Sequence, residues 1–91
     1  MATKKRERLE VIRDMLTIVK DNRKIKPTRL LYGSNLSPQM FKEYIDELVN
    51  KKLVKLEVDE KEKKFFSLTK KGHDFLQEYK LIENFVENFG L

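Results

Sequence analysis

The apolar residues of the chain recur at helical spacing in three stretches and alternate in a fourth. Leu9, Ile12, Leu16 and Val19, flanked by Val11, Met15 and Ile18, form one stripe with Arg and Lys on the opposite face, which predicts a first helix over about 5–21. In the polar stretch "DNRKIKP" that follows, Ile25 can be a single extended residue pinned to a sheet. The next pattern, "TRLLYGSNLSPQMFKEYIDEL", stops at Tyr32-Gly33 and restarts at Ser37-Pro38. Thr28 is placed to cap a short second helix over 29–32, and Gly33 to end it, because glycine takes the left-handed conformation without steric penalty. Ser37 then accepts from the free amides of a new first turn, while Pro38 has the φ that the first helical position needs. Phe41, Tyr44, Ile45, Leu48 and Val49 give this third helix an inward stripe through about residue 51. With so short a gap, the second and third helices cross at an angle instead of merging.

After that corner the period changes. In "LVKLEVDEKEKKFFSLT", Val54, Leu56 and Val58 alternate with Lys55 and Glu57, a charged loop covers 59–64, and Phe66 alternates with Ser67 and Leu68. This reads as a β-hairpin with a polar tip. Thr69 is expected to cap a last helix carrying Phe75, Leu76, Tyr79, Ile82, Phe85, Val86 and Phe89. Three helices with a sharp corner between the second and third, then a two-stranded hairpin, is the order of a winged helix-turn-helix. The expected fold is therefore α+β and mainly helical, with a winged-helix domain over 1–69 and an added C-terminal dimerisation helix over 70–91. In such a fold the second helix braces the third, so that the N-terminal half of the third can enter a DNA major groove.

Composition narrows the function. Ninety-one residues with 40% hydrophobic content suit one modest core, and the absence of cysteine excludes disulfides and thiolate metal sites. No apolar signal core or membrane span is apparent, so an intracellular protein without a membrane partner is expected. The net charge of +5 is unevenly placed. Residues 1–36 hold ten basic against four acidic side chains, whereas 72–91 hold one basic against four acidic. One end of the molecule should attract polyanions and the other should not.

"TRLLYGSNLSPQMFKEYIDELVNKKLV", followed after the hairpin by "FFSLTKKGHDFL", resembles the small archaeal winged-helix DNA-binding proteins typified by the Sulfolobus 10a chromatin-associated family. The T-R-x-x-Y-G-x-N-L-S block and the later L-T-x-K-G carry the resemblance, which spans roughly 9–79. It implies binding of double-stranded DNA through the third helix and wing, and homodimers joined by long C-terminal helices in an antiparallel coiled coil. Two departures stand out. The tail over 70–88 is short for such a coiled coil, about 28 Å if fully helical. The wing is long and mixes Asp59, Glu60 and Glu62 with its lysines, which weakens the expectation of phosphate binding at its tip.

The DNA-binding candidates are Arg29, Ser34, Asn35, Ser37, Gln39 and Lys42 around the corner and Lys61, Lys63 and Lys64 at the wing. Asn and Gln can read adenine bidentately, Lys can take guanine or phosphate, and a helix N-terminus offers free amides to phosphate. Against this, Glu43, Asp46 and Glu47 leave the third helix close to neutral, which suits a protein-docking module as the rival function. RNA binding ranks lower, since no exposed aromatic platform is evident. Tyr32 is expected to pack on the core, and His73 to be an exposed first-turn residue with no metal or triad partners. No enzyme activity, metal or cofactor is expected. Phe75, Tyr79, Ile82, Val86 and Phe89 step by four, three, four and three, which makes them the candidate dimerisation seam.

Overall fold

The computed structural model describes residues 7–91, and the elements run α1 (Arg8–Asn22), β1 (Lys24–Ile25), α2 (Pro27–Ser34), α3 (Pro38–Asn50), β2 (Val54–Val58), β3 (Lys64–Leu68) and α4 (Lys70–Asn88). The expected start of the first helix at residue 5 lies outside the described residues. Val11, Ile12, Met15, Leu16 and Val19 of α1 are buried, and they meet Leu30 of α2, Phe41, Ile45 and Leu48 of α3, and Val54 and Phe66 of the hairpin. Leu9, by contrast, lies outside this core and is exposed. The sheet is antiparallel in the order β1-β3-β2, with Ile25 opposite Phe66 and Phe66 opposite Leu56. Ile25 is thus pinned to the sheet and buried, as its place between polar neighbours suggests.

The hairpin alternation holds, but its apolar face is covered only at one end. Val54 and Phe66 are buried, whereas Leu56 and Val58 are exposed, because β2 runs past the core to form the wing. Lys64 belongs to β3, opposite Val58, and not to the loop.

The corner forms where expected but by a different device. α2 starts at Pro27, with Lys26 as its cap, so Thr28 lies within the first turn and does not cap it. Gly33 lies inside α2 without a positive φ. The left-handed residue is Asn35 (φ 55°, ψ 42°), whose amide donates to the Tyr32 carbonyl at 3.3 Å. Asparagine is among the few side chains that reach this conformation readily, so the helix can end two residues later than the glycine. Ser37 caps α3 as read from the sequence, its hydroxyl accepting from the Met40 amide at 3.2 Å.

The start of α4 is joined to the turn after α3. Thr69 Oγ1 accepts from the Gly72 amide at 3.0 Å and donates to the Lys52 carbonyl at 2.6 Å, and Lys71 Nζ donates to the Lys51 carbonyl at 2.9 Å. Gly72 is buried, and a Cβ there would run into the Leu53 carbonyl oxygen and lie 2.6 Å from Leu68 Cδ1. The L-T-x-K-G stretch therefore has a steric reason: only glycine lets the helix backbone approach so closely.

Candidate nucleic-acid interface

The amphipathic pattern of α3 sets the geometry of its exposed side. With Phe41, Ile45 and Leu48 inward, Gln39, Glu43 and Asp46 lie on the outward crest, and all three are exposed. Asn35 and Ser37 are exposed just before the helix, and Arg29 is exposed on α2. These five, Arg29, Asn35, Ser37, Gln39 and Lys42, form the accessible polar set around the corner. Ser34 does not join them: it is 1% exposed and its hydroxyl donates to the Leu30 carbonyl at 2.6 Å, inside α2. The longer α2 turns this residue inward.

Two accessible residues were not foreseen. Tyr32 is 77% exposed instead of packed on the core, because it faces away from Leu30 on an α2 that continues beyond it. Met40 is 46% exposed on the first turn of α3. Counting outward positions on the helix would have found Met40. Tyr32 depended on where α2 ends.

The acidic residues of α3 are largely compensated locally. Lys42 Nζ meets Asp46 Oδ2 at 2.9 Å, and Glu47 pairs with Lys51 Nζ at 2.8 Å and with the Arg8 guanidinium of α1. Among the described residues Glu43 is left as the acid of α3 without an ion-pair partner. An exposed pair such as Lys42 with Asp46 contributes little to stability, so Lys42 can exchange its carboxylate for another anion at small cost.

The wing tip gives its acidic residues a structural role. Asp59 Oδ1 accepts from the Lys61 and Lys63 amides at 2.9 Å each, and the Asp59 amide donates to the Lys63 carbonyl at 3.0 Å. With Glu62 in the left-handed conformation, this folds residues 59–63 into a tight turn. The side chains of Lys61, Lys63 and Lys64 are exposed on it. A groove of about 590 Å³ beneath the tip is lined by Lys26, Lys61 and Lys63, by Val58 and Phe65, and by the acidic Asp59 and Glu60, which brings a cation from the start of α2 beside the wing. On the outer face of the sheet, Ser67 Oγ donates to Glu57 Oε2 at 2.6 Å, and this hydrogen bond, with Lys55 and Lys24 nearby, holds the Glu57 carboxyl below its usual range.

The five seam candidates divide along α4. Phe75 is half-buried against the core and stacks on Tyr79 with ring centroids 5.9 Å apart. Arg13 of α1 lies over the Tyr79 ring at 5.3 Å and pairs with Glu83 at 2.6 Å. Burial pushes the Tyr79 phenol up, with Arg13 acting in the opposite sense. Ile82, Val86 and Phe89 are exposed, as are Leu81 and Phe85. His73 is exposed in the first turns of α4, and among the described residues no cluster of potential metal ligands occurs. Nor is any described helix long and apolar enough to cross a membrane.

Comparison with known proteins places this geometry. An uncharacterized protein of Methanocaldococcus jannaschii is 40% identical over 68 residues, which cover 75% of this chain and 64% of that relative's length. Among solved structures, Sso10a-2, a DNA-binding protein from Sulfolobus solfataricus, superposes with a TM-score of 0.74 at 23% identity, covering 92% of this chain and 85% of the other. A MarR family transcriptional regulator from Silicibacter pomeroyi gives 0.72 at 22% identity over 90% of this chain and 58% of its own. F93 from STIV, a winged-helix DNA-binding protein, gives 0.64 at 24% identity over 90% and 92%. At these identities the structural likenesses establish a shared fold, in agreement with the resemblance to the Sulfolobus 10a proteins. The family model described as winged helix-turn-helix matches residues 5–87, nearly the whole chain, and the chain belongs to that family.

Proposed function

We propose that this protein binds duplex DNA as a homodimer, with the N-terminal half of α3 in the major groove and the wing lysines on phosphates. The observation that carries this reading is the pairing of an exposed polar first turn on a braced α3 with a wing tip whose Asp59 is consumed in folding the turn. Phosphate therefore meets Lys61, Lys63 and Lys64 on a preformed support. Asn35 and Gln39 are the base-reading candidates, Lys42 takes guanine or phosphate, and Arg29 and the free amides at the start of α3 add backbone contacts. The proteins named above as DNA-binding share this fold, which supports the same use here. The role is non-enzymatic, either chromatin-associated or regulatory, in a cytoplasmic, nucleoid-associated protein.

The dimer reading rests on the outer half of α4. Leu81, Ile82, Phe85, Val86 and Phe89, with Leu9 of α1 and Leu91, expose apolar side chains, and Ile82, Val86, Leu9 and Leu91 line an open groove of about 690 Å³. Leu81 faces a separate groove lined by Lys20, His73 and Leu76, so the grooved seam is the strip formed by Leu9, Ile82, Val86 and Leu91. A symmetric antiparallel pairing of α4 would set two α3 helices apart on one side of the assembly, as repeated grooves of one duplex require.

Glu43 on the crest, with Met40 and Tyr32 exposed near it in sequence, favours the rival reading of a protein-docking module. Titrating a labelled duplex at about 50 mM and about 200 mM salt separates the two. Binding that falls steeply with salt is the expected outcome; no binding at the lower salt overturns the DNA reading and leaves docking.

A further inference from the structure

Resting on the DNA-binding reading above, the geometry points to Met40 as a residue that recognises thymine, through the C5-methyl group presented in the major groove. On α3 the outward crest is Gln39, Glu43 and Asp46, and Met40 lies on the flank beside them, in the same first turn as Gln39. It is the one apolar side chain on that exposed side of α3, 46% accessible, while every neighbour on the crest is polar.

Among the described residues, no packing contact of the core requires it. The apolar contact that steadies the entry to a helix joins the residue before the cap to the fourth helical residue, and here those are Leu36 and Phe41. Both are packed on the core, and Met40 is absent from that cluster. The Met40 amide donates to the Ser37 hydroxyl at 3.2 Å, but any residue except proline supplies that amide.

The chemistry of the position suits a methyl group. An α3 that enters a major groove by its N-terminal half brings the first turn to the base edges. There thymine differs from cytosine and uracil by displaying an apolar methyl, and apolar side chains meet it directly. Methionine is unbranched and polarizable, so it reaches and moulds to such a group. Gln39, one residue earlier, is suited to the N6 and N7 edge of adenine. The pair together would favour A·T steps, Gln39 by hydrogen bonds and Met40 by the methyl it covers.

The test compares a short duplex of alternating A and T with the same duplex carrying uracil in place of thymine, for the wild type and for Met40→Ala. Every register of this duplex offers thymine methyls, so no target site need be known. Wild-type affinity should fall about fourfold on the uracil duplex, the equivalent of one methyl group kept from water. Met40→Ala, which keeps a good helix former at an exposed position, should bind the thymine duplex about fourfold more weakly than wild type and no longer distinguish the two. Equal wild-type affinity for both duplexes overturns the assignment, as does a Met40→Ala loss that is the same on each. Failure of the wild type to bind either duplex is a different result, and it overturns the DNA reading together with this inference.

Discussion

The two halves of α4 carry one apolar periodicity and meet different fates. In the first half, Gly72 lets the helix backbone touch the Leu53 carbonyl, Thr69 ties its first turn to the strand entry, and Phe75 and Leu76 pack on the core. In the second half, Leu81, Ile82, Phe85, Val86 and Phe89 have no such cover, and Phe85 and Phe89 lie against each other with ring centroids 4.8 Å apart. The joint between the halves is on α1, where Arg13 holds Tyr79 and Glu83. Periodicity along a helix shows which face avoids water. Contacts at backbone distance show which part of that face its own domain satisfies.

The strongest way to break the first half is Gly72→Ala. Its Cβ meets Leu68, whose side chain can shift, and the Leu53 carbonyl, which is backbone and can move only with the chain, so a loss of about 3 kcal/mol is expected from urea unfolding. A stability within a few tenths of wild type would show that α4 is not held as described.

Ile82→Asp probes the second half. Ile82 is 62% exposed in the single chain, so its replacement should leave the domain folded, with its unfolding midpoint lowered only by the concentration-dependent part that dimerisation adds. In an α4 dimer it would bury a carboxylate from each chain and weaken association by about 2 kcal/mol or more, over tenfold in Kd. Sedimentation velocity at tens of micromolar reads this directly. A wild type that sediments as a monomer removes the dimer reading, and unfolding of the variant would assign the outer half to its own core.

Thr69→Ala should cost about 1 kcal/mol, the usual value of a helix cap, without changing sedimentation. The smallest effect is the control glycine. Gly33 lies within α2 at a negative φ, and a Cβ there would make ordinary contact at 3.4 Å with Ile18 Cδ1, so Gly33→Ala should gain about 0.5 kcal/mol in thermal unfolding. Had Gly33 been the left-handed residue that its sequence position suggests, the same change would destabilise the protein.

That glycine marks the boundary of what the sequence discloses. Ser37-Pro38 and Thr69 are local signals, since a hydroxyl caps the amide three residues away, and both caps form as read. The hairpin, the four helices and the pinned Ile25 were legible for the same reason, as each depends on period and near neighbours. The end of α2 was not, because Gly33 and Asn35 are both able to stop a helix, and the helix runs on through Ser34, which is buried with its hydroxyl on the Leu30 carbonyl. That difference of two residues removed Ser34 from the candidate interface and left Tyr32 exposed. The role of Asp59 was also hidden: its sign suggested opposition to phosphate, whereas its hydrogen bonds are what shape the lysine-bearing tip.

Whether the wing touches phosphate decides the proposed mode of DNA binding. Affinity for a labelled duplex should be measured across a salt series for the wild type and for the protein with Lys61, Lys63 and Lys64 all replaced by Ala. Each phosphate contact contributes about 0.9 to the slope of log K against log salt, so the triple variant should bind every sequence more weakly and with a slope shallower by about two to three units. Parallel lines of equal affinity would contradict the account, because the lysines that Asp59 sets in place would then have no part in binding DNA.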